Sequence, residues 1–483
     1  MAVLTFFIVM GFAVYVAILS KRGAIGSSMN DVMVASGSFG SFLLFFIMVG
    51  EIYSVTTMIG GPGSIYARGT TYGIWFMGYI LLAYALGYFL NPAIWRLGRL
   101  AKAMTIADIL GWRFNSTAVQ LIIAVAGVTF LTPLAQNQFA GMGIVLKYLD
   151  IGISFNVGII LSCALAFAFI AIAGIRAPAW VSVFKDILMI AVIIAVGGIA
   201  LSHADGGLVG IFRHVAEEMP EMLVVKTDPI TLNVTFFVST ILFQMVGFYM
   251  VPVAVQSTMT SKNERNLRRN AVLMPIYMIM FPFLIIIAYF ALLYMPGLEN
   301  KDFAFLAVAN LLPHWVVGII AGGATLTAIL VLALYGLSIG GLFSKNILGV
   351  FKSDIQEKTM VRLTNTFTGV ILVIAAILAV FLPNLMANVL MNGYAGITQA
   401  FAVMMFAFFW KRTTKEGVIS GLLAGYFSVF FFRNTIAVMP FGITHGAYAI
   451  FINAIVIYVV SLITKPDEVA VERFNLYKNF RKA

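Results

Sequence analysis

The chain reads as an all-α integral membrane protein of about 13 transmembrane helices, most of them in two five-helix units that are inverted relative to each other and that each open on a broken helix. Three observations predict this. Of 483 residues, 61% are hydrophobic and 10% are charged, which leaves too little polar surface to cover a water-soluble globule. Basic residues recur in every second loop. Two apolar segments, residues 38–69 and 233–256, carry the same interruption, FFIMVGEIY around Gly50 and ILFQMVGFY around Gly247.

The spans follow from length. A crossing needs about 20 apolar residues, and runs of that kind start near Ala2, Phe39, Tyr72, Val119, Ile153, Ala177, Asn233, Ala271, Trp315, Val361, Leu385, Gly417 and Ala447. The first, residues 2–20, has no basic residue before it and Lys21 and Arg22 after it, the reverse of a signal peptide's charge order. It is expected to be a peripheral helix. Residues 38–204 then form repeat one, 233–412 repeat two, 415–465 two additional helices and 466–483 a cytoplasmic tail, all within one transmembrane domain. An odd number of spans per repeat makes the two repeats antiparallel across the membrane. Short helices on the membrane surface are expected at TIADILGWRF from Thr105 and VGIFRHVAEEMPEM from Val209.

The loops orient the chain. With the N-terminus outside, the inward loops hold Lys21 and Arg22, Arg96 to Arg113, Arg176, Lys262 to Arg269, Lys345 to Arg362, and Lys411 to Lys415, and the tail adds Arg473, Lys478, Arg481 and Lys482. The outward loops hold Asp205, Glu217, Glu218, Glu221, Asp228, Glu299 and Asp302. One missed span would invert every later loop, so the alternation supports both the count and the orientation. It also accounts for the net charge of +11 without nucleic acid as a partner. The expected location is a bacterial-type inner (plasma) membrane, with the lipid bilayer as the chain's surroundings.

The interrupted helices point to function. Irregular backbone survives at membrane depth only where protein or a water-filled cavity satisfies its polar groups, and paired broken helices mark a transporter's binding site near the midplane. Glu51, beside the first break, is expected to face the bundle interior, because an ionised carboxylate in hydrocarbon costs several kcal/mol. Tyr53, Ser54, Phe248 and Tyr249 flank the two breaks. Gln244 precedes the second. In the fourth span Gln136, Asn137 and Gln138 are consecutive, so at most two line a cavity, and Gln136 is the choice. Lys185 and Asp186 are adjacent on the sixth span, about 100° apart, and are expected to have different partners. The single cysteine, Cys163, excludes an intramolecular disulfide. No metal-ligand spacing, phosphate-binding glycine loop or nucleophile–base pair is present, which argues against an enzyme.

Several stretches carry a resemblance: GGPGSIYARG from Gly60, WRLGRLAKAMTIADILGWRF from Trp95, IRAPAWVSVFKDILMI from Ile175, VPVAVQSTMTSKNERNLRRNAVLMP from Val251, GGLFSKNIL from Gly340 and FFWKRTTKEGVISGLLAG from Phe408. From about Met33 to Gly425 the chain resembles the sodium:solute symporters, closest to their monocarboxylate permease-like branch. The resemblance implies the inverted-repeat fold of the bacterial leucine transporter and uptake of a small solute, a monocarboxylate or an amino acid, coupled to sodium by alternating access. It implies backbone ligands to sodium near Gly50 and Tyr53, paired hydroxyls on the ninth span, and an acidic group on the sixth, where Ser182 and Asp186 stand. The ninth span departs from this pattern. It reads LVLALYGLSIGG, with Tyr335, Gly336 and the single hydroxyl of Ser338. Sodium or a proton therefore both stand as coupling ion, the proton through Glu51, and an uncoupled facilitator or channel is the competitor from another class. A sensor ranks lower, because the tail carries no signalling module. No other cofactor is expected.

Overall fold

A computed structural model describes residues 1–21, 28–149, 154–225, 234–352, 354–382, 386–436 and 439–480. Arg22, Ile153, Asp228, Asn233, Leu385, Arg481 and Lys482 lie outside the described residues. Among those described there is no strand; the one β-type pairing is an isolated bridge between Phe39 and Ser261.

Eleven helices are long and apolar enough to cross a membrane, and the count is 13 when each of two bent pairs is one span. This is the number expected from the sequence. In order they are α1 (Ala2–Ser20), α2 (Ser41–Ile52 and Thr56–Arg68), α3 (Thr70–Leu100), α4 (Thr117–Leu149), α5 (Asn156–Ala173), α6 (Arg176–His203), α7 (Val234–Met250 and Pro252–Met259), α8 (Glu264–Tyr294), α9 (His314–Phe351), α10 (Glu357–Phe381), α11 (Asn388–Phe409), α12 (Lys415–Thr435) and α13 (His445–Ile463). The two bent spans, α2 and α7, are the two interrupted segments, and each opens its repeat. Both short helices expected from the sequence are present, as Ile106–Arg113 and Gly207–Glu218.

At the core is α9, whose apolar stretch is 89% buried, packed between α1, α4, α6 and α10. Without a hydrophobic force between helices in lipid, such contacts depend on close van der Waals fit and small residues. The two repeats use small residues in matching places. Gly50 of α2 lies against Ser182 of α6, and Gly247 of α7 lies against Thr398 of α11, so in each unit the broken first helix rests on the fifth. A Cβ on Gly50 would come within 2.8 Å of Ser182 Cβ, closer than side chains approach. Gly50→Ala is expected to lower the apparent Tm, at a cost of about 1–3 kcal/mol for overpacking, and Ser182→Gly in the same chain should recover most of it.

The two broken helices are also joined at one end. Phe39 N donates to Thr260 O at 2.9 Å and Lys262 N to Phe39 O at 3.0 Å, tying the start of α2 to the exit from α7. Trp95 Nε1 donates to Ser261 O at 3.0 Å, and Arg96 pairs with Glu264. At the same end, α9 finishes in a π-helical stretch, Leu342–Leu348, from which Lys345 and Asn346 each reach an oxygen of Asp108 at 2.6 Å. Burial alone would raise the Asp108 carboxyl; the Lys345 ammonium and the Met104 and Asn346 amides outweigh it and hold the group below its ordinary value.

Candidate functional site

The break in α2 is local chemistry. Tyr53 turns to extended backbone, φ −90° and ψ 95°, and Ser54 restarts the helix as a cap: its Oγ accepts from Thr56 N at 3.2 Å and its carbonyl accepts from Thr57 N and Met58 N at 2.9 and 3.1 Å. A π-helical turn follows over Thr56–Gly60, a geometry frequent at functional sites. The halves bend by 50°. In α7 the break falls at Val251, whose ψ of 126° leaves the helix before Pro252 restarts it, proline's fixed φ suiting a first helical position. That bend is 48°.

Between the breaks lies a cavity of about 50 Å³ walled by Glu51, Ser54, Thr56 and Thr57 of α2, Phe76 and Tyr79 of α3, Asn137 and Gln138 of α4, Phe248 and Ala254 of α7, Tyr335 of α9, and Leu390 and Tyr394 of α11. It holds a few waters, so a solute of several heavy atoms needs the walls to part. The polar lining combines the hydroxyls of Ser54, Thr56, Thr57, Tyr79, Tyr335 and Tyr394, which donate or accept, with the Glu51 carboxyl and the Asn137 and Gln138 amides. Glu51 Oε2 accepts from Ser257 Oγ at 2.8 Å. Asn137 Nδ2 donates to Thr56 Oγ1 and Met386 O, both at 3.1 Å, and Gln138 Nε2 approaches Thr56 Oγ1 at 3.4 Å. These contacts leave Asn137 Oδ1 and Gln138 Oε1 without a partner among the described residues. Among the described residues no lysine, arginine or histidine is in the wall. The arrangement can meet both donors and acceptors on a solute, with Glu51 as the one carboxyl group among the described residues of the wall.

A second cluster sits behind the break. Lys185 Nζ of α6 donates to Gly50 O at 3.1 Å and Tyr53 O at 2.8 Å, and pairs with Asp186 Oδ1 at 2.5 Å. Tyr277 OH of α8 donates to the same carboxylate oxygen at 3.0 Å and its ring stacks on Tyr53 at 4.5 Å. Lys185 and Asp186 are both fully buried. The expectation of separate partners is therefore corrected: their Cβ directions diverge, but the four-carbon lysine stem lets the ammonium curl back to its neighbour.

The structure distributes the other sequence candidates as follows. Glu51, Ser54 and Phe248 are in the cavity wall. Gln136 is not; its Nε2 donates to Leu378 O and Leu382 O at 3.3 and 2.8 Å, which binds α4 to α10. Gln244 and Tyr249 are buried outside the wall. The Tyr53 hydroxyl meets Tyr84 OH at 2.6 Å, while its carbonyl serves Lys185. Ser182 Oγ donates to Ala179 O of its own helix at 2.8 Å, and Ser338 is buried in α9 away from the wall. Ser257, Thr57, Asn137, Gln138 and Tyr394 were not singled out as site residues. A signal for Ser257 existed: the hydroxyl run Ser257, Thr258 and Thr260 follows the second break as Ser54, Thr56 and Thr57 follow the first.

The far half of α2 is backed by Asp302, in the short turn Lys301–Phe303 beyond the spans. A Cβ on Gly63 would collide with Asp302 and with Lys301 O, and Met386 N approaches Asp302 Oδ2 at 3.4 Å. Burial pushes this carboxyl up to about 7, with the Met386 N–H pulling weakly the other way. A folded value above the unfolded one gives stability that is full below the unfolded pKa and is lost as pH rises through about 7. The apparent Tm should fall between pH 5 and 8 by the equivalent of roughly 2–4 kcal/mol, and Asp302→Asn should flatten that slope.

The profile of the sodium:solute symporter family matches residues 33–425. An uncharacterized symporter of Bacillus subtilis, YhjB, is 27% identical over 96% of this chain and 97% of its own length. A monocarboxylate transport permease of Rhizobium johnstonii is 24% identical over 80% of this chain and 79% of its own. Among solved structures, a Na⁺-coupled sialic acid symporter in a substrate-bound outward-open state superposes with a TM-score of 0.84 at 15% identity, covering 96% of this chain and 98% of that one. With broken first helices, a central ninth span and inverted repeats all in place, the chain belongs to the sodium:solute symporter family and has the fold of the bacterial leucine transporter.

Proposed function

We propose that this protein takes up a small organic solute, a monocarboxylate or an amino acid, by alternating access, with the solute in the Glu51 cavity and accumulation driven by a cation gradient that acts through Glu51. The observation that carries this reading is the cavity at the meeting point of both breaks, with polar side chains in its lining and walled by five helices besides α2. A solute carboxylate meets the restarted half-helices at their N-terminal ends, where the helix dipole favours negative charge. A solute amine or hydroxyl meets Glu51, Asn137 Oδ1 and Gln138 Oε1. The Glu51 carboxyl, a partner for a solute amine, favours an amino acid over a bare monocarboxylate, whereas the Rhizobium relative favours the monocarboxylate. The repeats rock around the site, with the N-terminus outside and the tail in the cytoplasm, an orientation that the loop charges support.

The test is radiolabelled uptake into proteoliposomes across a panel of monocarboxylates and amino acids, with sodium and proton gradients imposed separately. Accumulation above the external concentration under one of the two gradients is the expected result. Uptake that only equilibrates, whichever gradient is imposed, makes the protein a facilitator.

A further inference from the structure

The end of the first half of α2 has the makings of a cation site. A helix C-terminus gathers partial negative charge on its free carbonyls, and here Gly50 O and Tyr53 O converge with the carboxylate of Asp186. These are the carbonyls that the family resemblance assigns to sodium. In this chain they already hold a cation. The Lys185 ammonium has three N–H donors and no acceptor, and its three oxygen neighbours, at 2.8, 3.1 and 2.5 Å, take all three. The groups that would complete a sodium shell are turned elsewhere: Ser182 Oγ is committed to Ala179 O, and Ser338 is the single hydroxyl of its stretch of α9. A sodium ion about 4 Å from the ammonium would meet like-charge repulsion worth about a thousandfold in affinity.

We propose that Lys185 is a built-in cation, a covalently tethered replacement for sodium that holds the first broken helix to α6, and that the Gly50 and Tyr53 carbonyls take no sodium ion. The inference deepens the symport reading and rests on it for its consequence, that coupling passes through the Glu51 cavity and not through these carbonyls. Asp186 Oδ2, buried and without a hydrogen-bond partner among the described residues, marks what removal of the lysine would expose: a carboxylate and two carbonyls arranged for a small hard cation, which prefers several oxygen ligands.

The test counts bound sodium. Equilibrium binding of radioactive sodium is measured on the purified full-length chain in detergent, against choline at equal ionic strength, for the unaltered protein and for Lys185→Ala. The expected result is one more saturable sodium ion per chain in the variant, lost again when Asp186→Asn is added. Equal counts in the unaltered chain and the variant, or fewer in the variant, overturn the proposal. If Lys185→Ala does not fold, Lys185→Ser carries the same comparison, its hydroxyl replacing one lost donor. If neither folds, Asp186→Asn in the otherwise unaltered chain decides: an unchanged sodium count supports the proposal, and the loss of one saturable sodium ion overturns it. The count is read without solute, so a failed uptake assay, which would sink the symport reading, leaves this result standing.

Discussion

Glu51→Gln abolishes gradient-driven accumulation and, at saturating solute, leaves exchange between equal concentrations largely intact. The change removes one charge and almost no volume, and a glutamine Oε1 still accepts from Ser257 Oγ, now at 2.8 Å from the carboxylate. The cavity wall should therefore keep its shape. What is lost is the only carboxyl group among the described residues of that wall. A hydrogen bond to a charged group is worth about 1.5–3 kcal/mol, so affinity for an amine-bearing solute should fall roughly tenfold to a hundredfold and the accumulation ratio should fall to one. Proteoliposome uptake and counterflow, measured on the same preparation, separate the two effects. Retention of full accumulation by Glu51→Gln would remove Glu51 from the coupling.

The largest loss of stability is expected from Lys185→Met. Methionine replaces the stem at similar volume but leaves the Gly50 and Tyr53 carbonyls without the ammonium donor and the Asp186 carboxylate with the Tyr277 hydroxyl but no countercharge. Breaking a buried pair by removing one partner costs about 3–5 kcal/mol, because an uncompensated charge stays behind. Asp186→Asn alone should also destabilise, since it leaves the ammonium unpaired. The double variant should lose clearly less than the sum, because neither buried charge remains; this coupling is the signature of contact. Apparent Tm in one detergent, for the four proteins of the cycle, reads the result directly. Full additivity would show that the two groups do not share their charge.

Much of this architecture is written in local pattern, and the rest depends on rotation and reach. Span number and the two breaks were legible because they rest on length and on glycine, proline and hydroxyl residues in otherwise apolar runs. Which face of α4 meets the cavity was not. Gln136, Asn137 and Gln138 differ by about 100° steps, and without neighbouring helices nothing in the sequence sets the helix's rotation; the structure turns Gln136 to α10 and its two neighbours inward. Lys185 was misread for a related reason. The rule that adjacent helical residues do not face each other concerns short side chains, and a lysine can cross that gap when a carboxylate and two carbonyls await it. The signal lay in combination: a helix C-terminus at Gly50, a lysine at membrane depth, and a ninth span short of hydroxyls together ask for a resident cation.

The location of the solute site is tested most directly by protection of a cysteine placed in its wall. Leu390→Cys, in a chain whose native Cys163 is replaced by serine, puts a thiol on the α11 side of the cavity, and its rate of modification by a small methanethiosulfonate reagent is followed with and without solute. The solute accumulated in the uptake panel should slow that modification severalfold, while panel members that are not transported leave it unchanged. Modification at the same rate with and without a transported solute would place the solute elsewhere and contradict the account.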